Sequence, residues 1–196
     1  NLQALIDGVA DNSLPIDLVA VISNRPEVMG LERAAKANIS AEVLDHKAFA
    51  DRESFDQALM ARIDSYQPDL IVLAGFMRIL TPEFTQHYLG RMFNIHPSLL
   101  PKYQGLHTHQ RAIDAGEQRH GVTVHFVTAE LDHGPIIDQA CVRIEQGDTE
   151  DSLAQKLLVK EHQIYPRAVR LFVEGKLVVE GNRVIVNGSE ADSCAI

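Results

Sequence analysis

The first half of the chain alternates short apolar runs with amphipathic stretches. Four apolar runs have the length of a buried strand and end in turn-forming residues: 15–22, 41–44, 70–74 and 91–96. Helical spacing of apolar side chains marks the segments around them: 2–9, 30–37, 51–66 and a stretch that begins at Thr81-Pro82. This alternation predicts right-handed parallel βαβ units, and therefore an α/β fold with a doubly wound, mostly parallel central sheet.

The second half changes character. Residues 120–127 and 135–144 predict two long strands joined by the connection 128–134. Thr149 is a predicted N-cap for a long helix, and residues 176–186 alternate around Gly181-Asn182 like a hairpin. We therefore expect antiparallel strands in the C-terminal half. No internal repeat or linker interrupts the pattern, which predicts a single domain over residues 1–196.

The ends of the predicted parallel strands mark the place for a ligand. In sheets of this kind, ligands bind beyond the carboxyl ends of the strands. The loops after Ala74, His96 and Val127 are therefore the expected walls of a site.

Two polar side chains, Asn94 and His96, lie at the exit of one of these strands. They are two residues apart, so both project from the same face, and Pro97 then holds His96 in an extended conformation. An amide and an imidazole placed this way can handle a carbonyl oxygen and a proton. The alternative is a local strand cap at Asn94 and a satisfied core histidine at His96.

Asp132 is the second candidate for chemistry. It lies in the loop between the two long strands, before the turn-forming His133-Gly134-Pro135. A carboxylate near His96 would orient the imidazole and favour its charged form. The alternative is a turn aspartate that bonds its own backbone.

Two further features suggest ligands. Arg78 follows an apolar strand and is surrounded by Phe76, Met77, Ile79 and Leu80, which favours one wall of a pocket for a flat ring. His107 and His109 invite a metal hypothesis, but neighbours two apart do not share a face of a helix, and no cysteine or carboxylate cluster completes a ligand set.

Composition narrows the class of protein. The formal net charge of −9 argues against broad binding to nucleic acid or to membrane surfaces. The apolar runs are strand-sized, no signal peptide is recognisable, and two cysteines, Cys141 and Cys194, are no disulfide framework. We expect a reducing, cytoplasmic setting.

Several runs resemble one known family. Residues 94–101 (NIHPSLLP) are similar to the core motif of the folate-dependent formyltransferases, and residues 121–137 (GVTVHFVTAELDHGPII) are similar to that family's second signature. Residues 102–109 (KYQGLHTH) and 74–80 (AGFMRIL) resemble the branch that formylates glycinamide ribonucleotide. Methionyl-tRNA formyltransferases differ after the Leu-Leu-Pro.

The resemblance implies a Rossmann-like fold and transfer of a formyl group from 10-formyltetrahydrofolate to the amine of glycinamide ribonucleotide in de novo purine synthesis. It implies no metal ion and either a monomer or a homodimer. By position, Asn94, His96 and Asp132 match the catalytic trio. The implied folate contacts are Arg52, Met77, Arg78, Ile79, Leu80, Asn94, Thr128, Ala129, Glu130, Leu131 and Asp132. Asn1 and Glu161 match positions that hold the ribonucleotide.

The chain departs from the family pattern at three places. The family begins with a strand and a glycine-rich phosphate turn, and here Asn1 matches the last residue of that turn. Leu158 stands where a polar substrate contact is expected, and His133 stands where glycine is usual. These departures concern details of binding rather than the type of reaction.

Three alternatives stay open from the sequence. A formyltetrahydrofolate hydrolase would pass the same formyl group to water. A metal-dependent amidohydrolase would use His107, His109 and Asp132 as ligands. A nucleotide-binding module would carry out no chemistry at all.

Overall fold

The computed structural model describes residues 1–187. Its helices are α1 (Leu2–Ala10), α2 (Met29–Lys36), α3 (Arg52–Asp64), α4 (Pro82–His87), α5 (Thr108–Asp114) and α6 (Glu150–Val173), with a single 3₁₀ turn at His46–Ala48. Its strands are β1 (Ala20–Ser23), β2 (Ser40–Val43), β3 (Ile71–Val72), β4 (Met92–His96), β5 (Arg119–Phe126), β6 (Ile136–Arg143), β7 (Leu177–Glu180) and β8 (Arg183–Val186).

The strands form two hydrogen-bonded sheets. β1 and β2 pair in parallel, and the larger sheet has the order β3-β4-β5-β6-β8-β7. Within it β3–β4 and β6–β8 are parallel, whereas β4–β5, β5–β6 and β7–β8 are antiparallel. The predicted α/β class and the antiparallel C-terminal strands are confirmed.

Two predicted strands are shorter than their apolar runs. β1 starts at Ala20 rather than at residue 15, because Leu14 and Ile16 donate their N–H groups to Gly8 and Leu14 carbonyls in a turn after α1. β3 covers only Ile71–Val72, although Leu73 N–H still donates to Phe93 O at 2.9 Å. Gly75 then takes a positive φ of 64° and ends the extended run.

Both faces of β4 are covered, and this decides where its polar residues point. Phe93 belongs to the core cluster that packs on α6, with Val122, Val124 and Phe126 of β5. Met92, the first residue of the strand, belongs instead to the cluster with α3 and α4. Asn94 and His96 share the Met92 side, because strand side chains alternate between faces. They lie where that apolar side of the strand ends.

The last helix ties the two halves together. Thr149 caps α6 as predicted, in a reciprocal capping box with Ser152. In the middle of the helix, the buried Tyr165 hydroxyl lies 2.6 Å from Leu73 O and 3.2 Å from Phe93 O. One phenol therefore bridges the residue that follows β3 and the second residue of β4.

Two global properties complete the description. None of the helices in residues 1–187 combines the length and the apolarity needed to span a membrane. Of the two cysteines, Cys141 lies in β6 and Cys194 lies outside the described residues.

Candidate active site

His96 and Asp132 meet, as the sequence predicted. His96 Nδ1 lies 3.5 Å from Asp132 Oδ2, and both side chains are buried. The two residues come from different elements, since His96 ends β4 and Asp132 lies in the loop between β5 and β6. A carboxylate at this distance fixes the orientation of the imidazole ring.

The other nitrogen of the same ring is also occupied. His96 Nε2 lies 2.9 Å from the carbonyl oxygen of Tyr103. A carbonyl can only accept, so Nε2 carries a proton there. Both ring nitrogens of His96 therefore face acceptors, Tyr103 O and Asp132 Oδ2.

The Asp132 carboxylate is held by its own loop and by the neighbouring one. The residue adopts a positive φ of 52°, and its Oδ2 accepts a hydrogen bond from Gly105 N–H at 3.0 Å. Gln104 Nε2 donates to the Asp132 carbonyl at 3.2 Å. Two residues later, a Cβ on Gly134 would lie 1.8 Å from Phe126 O, so only glycine fits. This close return of the chain fixes where Asp132 points.

A further buried histidine borders the site, and the sequence reasoning missed it. His125 of β5 stands directly opposite Asn94 of β4 in the strand register. Its Nδ1 bonds Phe126 O at 2.9 Å, and its Nε2 lies 4.0 Å from Asp132 Oδ1. Burial lowers the pKa of His125, a shift that the Phe126 carbonyl and Asp132 partly oppose and His96 reinforces. The signal available in the sequence was the pair of polar residues Thr123 and His125 alternating with apolar ones in a strand.

Thr123 organises the loop that follows His96. Its hydroxyl donates to Ser98 O at 2.7 Å and accepts from Leu100 N–H at 3.1 Å. Gln139 Nε2, from β6, donates to the same hydroxyl at 2.8 Å and to Leu100 O at 3.1 Å. These bonds anchor the loop after His96 to β5 and β6.

The predicted folate segments expose apolar side chains. Met77, Ile79 and Leu131 are 78%, 60% and 58% exposed, whereas Leu80 packs against the core beside α3 and α4. In the second segment, the Thr128 hydroxyl donates to Glu130 O at 3.3 Å, and Ala129 is exposed. Exposed apolar groups of this size, adjoining a polar site, are typical of a ligand-binding surface.

Two arginines that were predicted to contact the folate, Arg52 and Arg78, lie at the first turn of α3. The Arg78 guanidinium lies 4.8 Å from the centre of the Phe55 ring, and its buried Nε finds no partner among residues 1–187. Arg52 lies one turn earlier on the same helix and pairs with Glu53 at 3.4 Å in solvent.

The predicted ribonucleotide residues also meet. Asn1 Nδ2 donates to Glu161 Oε2 at 2.6 Å. Leu158, 45% exposed, lies one turn before Glu161 on α6.

The structure brings no support to the metal hypothesis. His107 has a left-handed backbone at the start of α5, and His109 Nδ1 instead contacts His120 Nε2 at 3.1 Å. Among the described residues, no group of three or more histidine, cysteine, aspartate or glutamate side chains could hold a metal ion. His133 is exposed, and its Nε2 lies 3.7 Å from Glu130 Oε2.

Comparison with known proteins points to one family. Residues 1–169 match the family model described as formyl transferase. The chain is 49% identical over 188 residues to the phosphoribosylglycinamide formyltransferase of Escherichia coli (strain K12), covering 96% of this chain and 89% of that protein.

Solved structures agree with that match. Glycinamide ribonucleotide transformylase 1 from Symbiobacterium toebii superposes with a TM-score of 0.92 at 45% identity, covering 94% of this chain and 87% of that chain. A formyltetrahydrofolate deformylase from Burkholderia mallei superposes with a TM-score of 0.84 at 29% identity, covering 94% and 65% of the two chains. With a buried imidazole and carboxylate at the exit of β4 and a family model that matches most of its length, the chain belongs to the formyl transferase family.

Proposed function

We propose that this protein transfers the formyl group of 10-formyltetrahydrofolate to the amine of glycinamide ribonucleotide, giving formylglycinamide ribonucleotide in de novo purine synthesis. Membership of the formyl transferase family supports the reaction class, and the name of the Escherichia coli relative supports the acceptor. The observation that carries the mechanism is the His96 ring, with Nε2 on Tyr103 O and Nδ1 facing Asp132 Oδ2.

The chemistry requires a donor for a developing oxyanion. The amine lone pair forms the new C–N bond while the formyl carbonyl electrons move onto oxygen, giving a zwitterionic tetrahedral intermediate. Preorganised donors at such an oxygen contribute about 3–4 kcal/mol each in other enzymes. We assign this role to the Asn94 amide and to His96 Nδ1–H, because His96 Nε2 is already engaged by Tyr103.

Asp132 orients His96 and handles the amine proton. The proton leaves the attacking nitrogen, and the tetrahedral intermediate collapses by breaking its bond to the folate nitrogen, which takes up a proton. A carboxylate held by Gly105 N–H beside His96 can relay that proton, directly or through a water molecule. The mechanism needs no metal ion.

Substrate binding is assigned to the surrounding loops. Met77, Ile79 and Leu131 offer apolar surface for the flat folate ring, together with Leu80, Thr128 and Ala129. Arg52 and Arg78 suit the negatively charged part of the folate, while Glu130 lies at the solvent edge. Glu161 can accept hydrogen bonds from the ribonucleotide, with Asn1 beside it.

The rival activity is hydrolysis of the same folate, because a formyltetrahydrofolate deformylase shares the fold. Purified protein should form tetrahydrofolate from 10-formyltetrahydrofolate only when glycinamide ribonucleotide is present, with formylglycinamide ribonucleotide produced in equal amount. Tetrahydrofolate formation at the same rate without the amine would instead establish the hydrolase.

The setting of the enzyme is also a proposal. We infer one catalytic domain that works in the cytoplasm, supported by the two core clusters that meet across β4 and by the intracellular nature of purine synthesis. We also infer that the protein is a monomer or a homodimer. Light scattering after gel filtration distinguishes the two states, and cell fractionation tests the compartment.

A further inference from the structure

One ring nitrogen of His125, Nε2, lacks the hydrogen-bond partner that a buried polar atom normally has within the described residues. The side chain is 2% exposed, and its Nε2 has no hydrogen-bond partner among residues 1–187. Buried polar atoms are nearly always paired, so an orphan beside a reactive group needs an explanation. A charged atom, Asp132 Oδ1, lies 4.0 Å from this nitrogen.

The tautomer of His125 follows from its other contact. Nδ1 lies 2.9 Å from the Phe126 carbonyl, which can only accept, so Nδ1 carries the proton. In the neutral ring, Nε2 is then a bare acceptor that faces a carboxylate, which is also an acceptor. A hydrogen bond between Nε2 and Oδ1 forms only when one proton lies between them.

Asp132 and His125 are placed so that a small movement closes this gap. His125 is fixed in β5, at the point where a register shift between Val124 and His125 re-aims its side chain. Asp132 lies in a loop, and its other oxygen already faces His96 at 3.5 Å. The carboxylate therefore lies between two imidazoles, one in each of two paired strands.

We propose that His125 is a positioning residue for Asp132, and that the two share one proton during formyl transfer. This inference rests on the proposed function. The N–H bond of the attacking amine breaks and an O–H bond forms on Asp132, whose Oδ1–H then donates to His125 Nε2. When the folate nitrogen departs, the O–H bond breaks and the proton passes to that nitrogen. One proton is released and one is consumed, so the enzyme returns to its starting state.

His96 and Asp132 are the titratable groups that face His125. The like charge of His96 disfavours a second imidazolium, and burial acts in the same direction. His125 therefore enters each cycle neutral and can accept a shared proton. An imidazole that was already charged would leave Asp132 no partner for the new proton.

The test compares two variants of similar size with the parent enzyme. His125→Phe keeps a ring but removes both nitrogens, and His125→Gln keeps a polar group that can reach Asp132 but cannot titrate. We expect kcat to fall about 10- to 100-fold in His125→Phe, the range found when groups that orient metal ligands are removed. KM for both substrates should stay within about 3-fold of the parent. His125→Gln should recover much of kcat, and its pH profile should lose one ionisation.

Several results would overturn the inference. These are an unchanged kcat in His125→Phe, equal losses in both variants, or a His125→Gln pH profile identical to that of the parent. If His125→Phe does not fold, the His125→Gln pH profile decides alone. His120→Gln serves as a control for loss of another buried imidazole of β5, because His120 faces His109 rather than Asp132.

A measurement independent of turnover separates this inference from the proposed function. The ¹⁵N shifts of the His125 ring should show Nδ1 protonated and Nε2 bare, and Asp132→Asn should move the Nε2 signal. A protein that transfers no formyl group but shows these shifts would refute the function alone. A protein that transfers the formyl group and has Nε2 protonated in the resting state would refute the role of His125.

Discussion

The strands and the loops contribute different things to this site. Asn94, His96 and His125 lie on the paired strands β4 and β5, and both histidines are buried. The apolar residues Met77, Ile79 and Leu131 lie on loops and are mostly exposed. Reacting groups need fixed geometry, whereas groups that close over a ligand need freedom to move. This difference supports the proposal that the strands carry the chemistry and the loops recognise the substrates, with Asp132 as the loop residue that reaches the reacting groups.

Removing the imidazole of His96 should have the largest effect on the rate of formyl transfer. His96→Ala deletes the donor to the oxyanion and the partner of Asp132, and we expect kcat for formyl transfer to fall about 10³-fold. Folate binding, measured by fluorescence titration, should survive because the exposed loop residues are untouched. Normal turnover in this variant would refute the assignment of chemistry to β4.

Displacing the carboxylate of Asp132 should have the next largest effect on the rate. In Gly134→Ala the new Cβ cannot fit against Phe126 O, so the Asp132 loop must shift. A displacement of about 1 Å can cost about 100-fold in rate, and overpacking costs about 1–3 kcal/mol of stability. Kinetics and thermal unfolding measure the two effects. Gly30→Ala is the matched control, because its Cβ would meet Leu2 at an ordinary 3.6 Å.

Lowering the pH should destabilise the folded protein through a buried histidine of β5, His120. Burial, with His109 nearby, lowers the pKa of His120 from 6.5 to about 4. Because the folded protein prefers the neutral ring, the full stability is present above about pH 6.5 and is lost as the pH falls toward 4. We expect unfolding to become easier by about 1–2 kcal/mol between pH 7 and pH 5. Urea titrations at the two pH values measure this, and His120→Gln should show a shallower dependence.

Shortening one apolar side chain of the proposed folate-binding loops should have the smallest effect on the kinetics. Ile79→Ala removes apolar contact with the folate worth about 1 kcal/mol, or roughly 5-fold in its KM, and leaves kcat unchanged. Steady-state kinetics with varied folate test this. Val179→Ala, at an exposed apolar residue of β7, should change neither constant. A fall in kcat for Ile79→Ala would mean that the loop also positions the reacting groups.

Local sequence signals predicted most of the fold. Thr81 and Thr149 cap α4 and α6 because capping chemistry acts over three residues. The lengths of β1 and β3 were overestimated, since pairing partners distant in sequence decide where an apolar run becomes a strand. A buried strand needs an apolar sequence, but the apolar sequence alone does not specify which strand pairs with it.

The candidate site was predictable in its residues but not in its contacts. Asn94, His96 and Asp132 follow from motifs, and the 3.5 Å approach of His96 to Asp132 agrees with that expectation. The Tyr103 carbonyl on His96 depends on the path of a loop, and a backbone group has no signature in the sequence. His125 was overlooked because a histidine in an otherwise apolar strand resembles a satisfied core residue, and its orphan nitrogen is visible only in three dimensions.

The phenol of Tyr165 has a consequence for the order of assembly. It bonds carbonyls 92 and 72 positions earlier in the chain, at Leu73 and Phe93. Contacts this distant form late, since the intervening chain must first be brought together. A nascent polypeptide that has released β4 from the ribosome but not yet α6 therefore lacks this bridge between β3 and β4. Catalytic competence thus waits for the synthesis of α6.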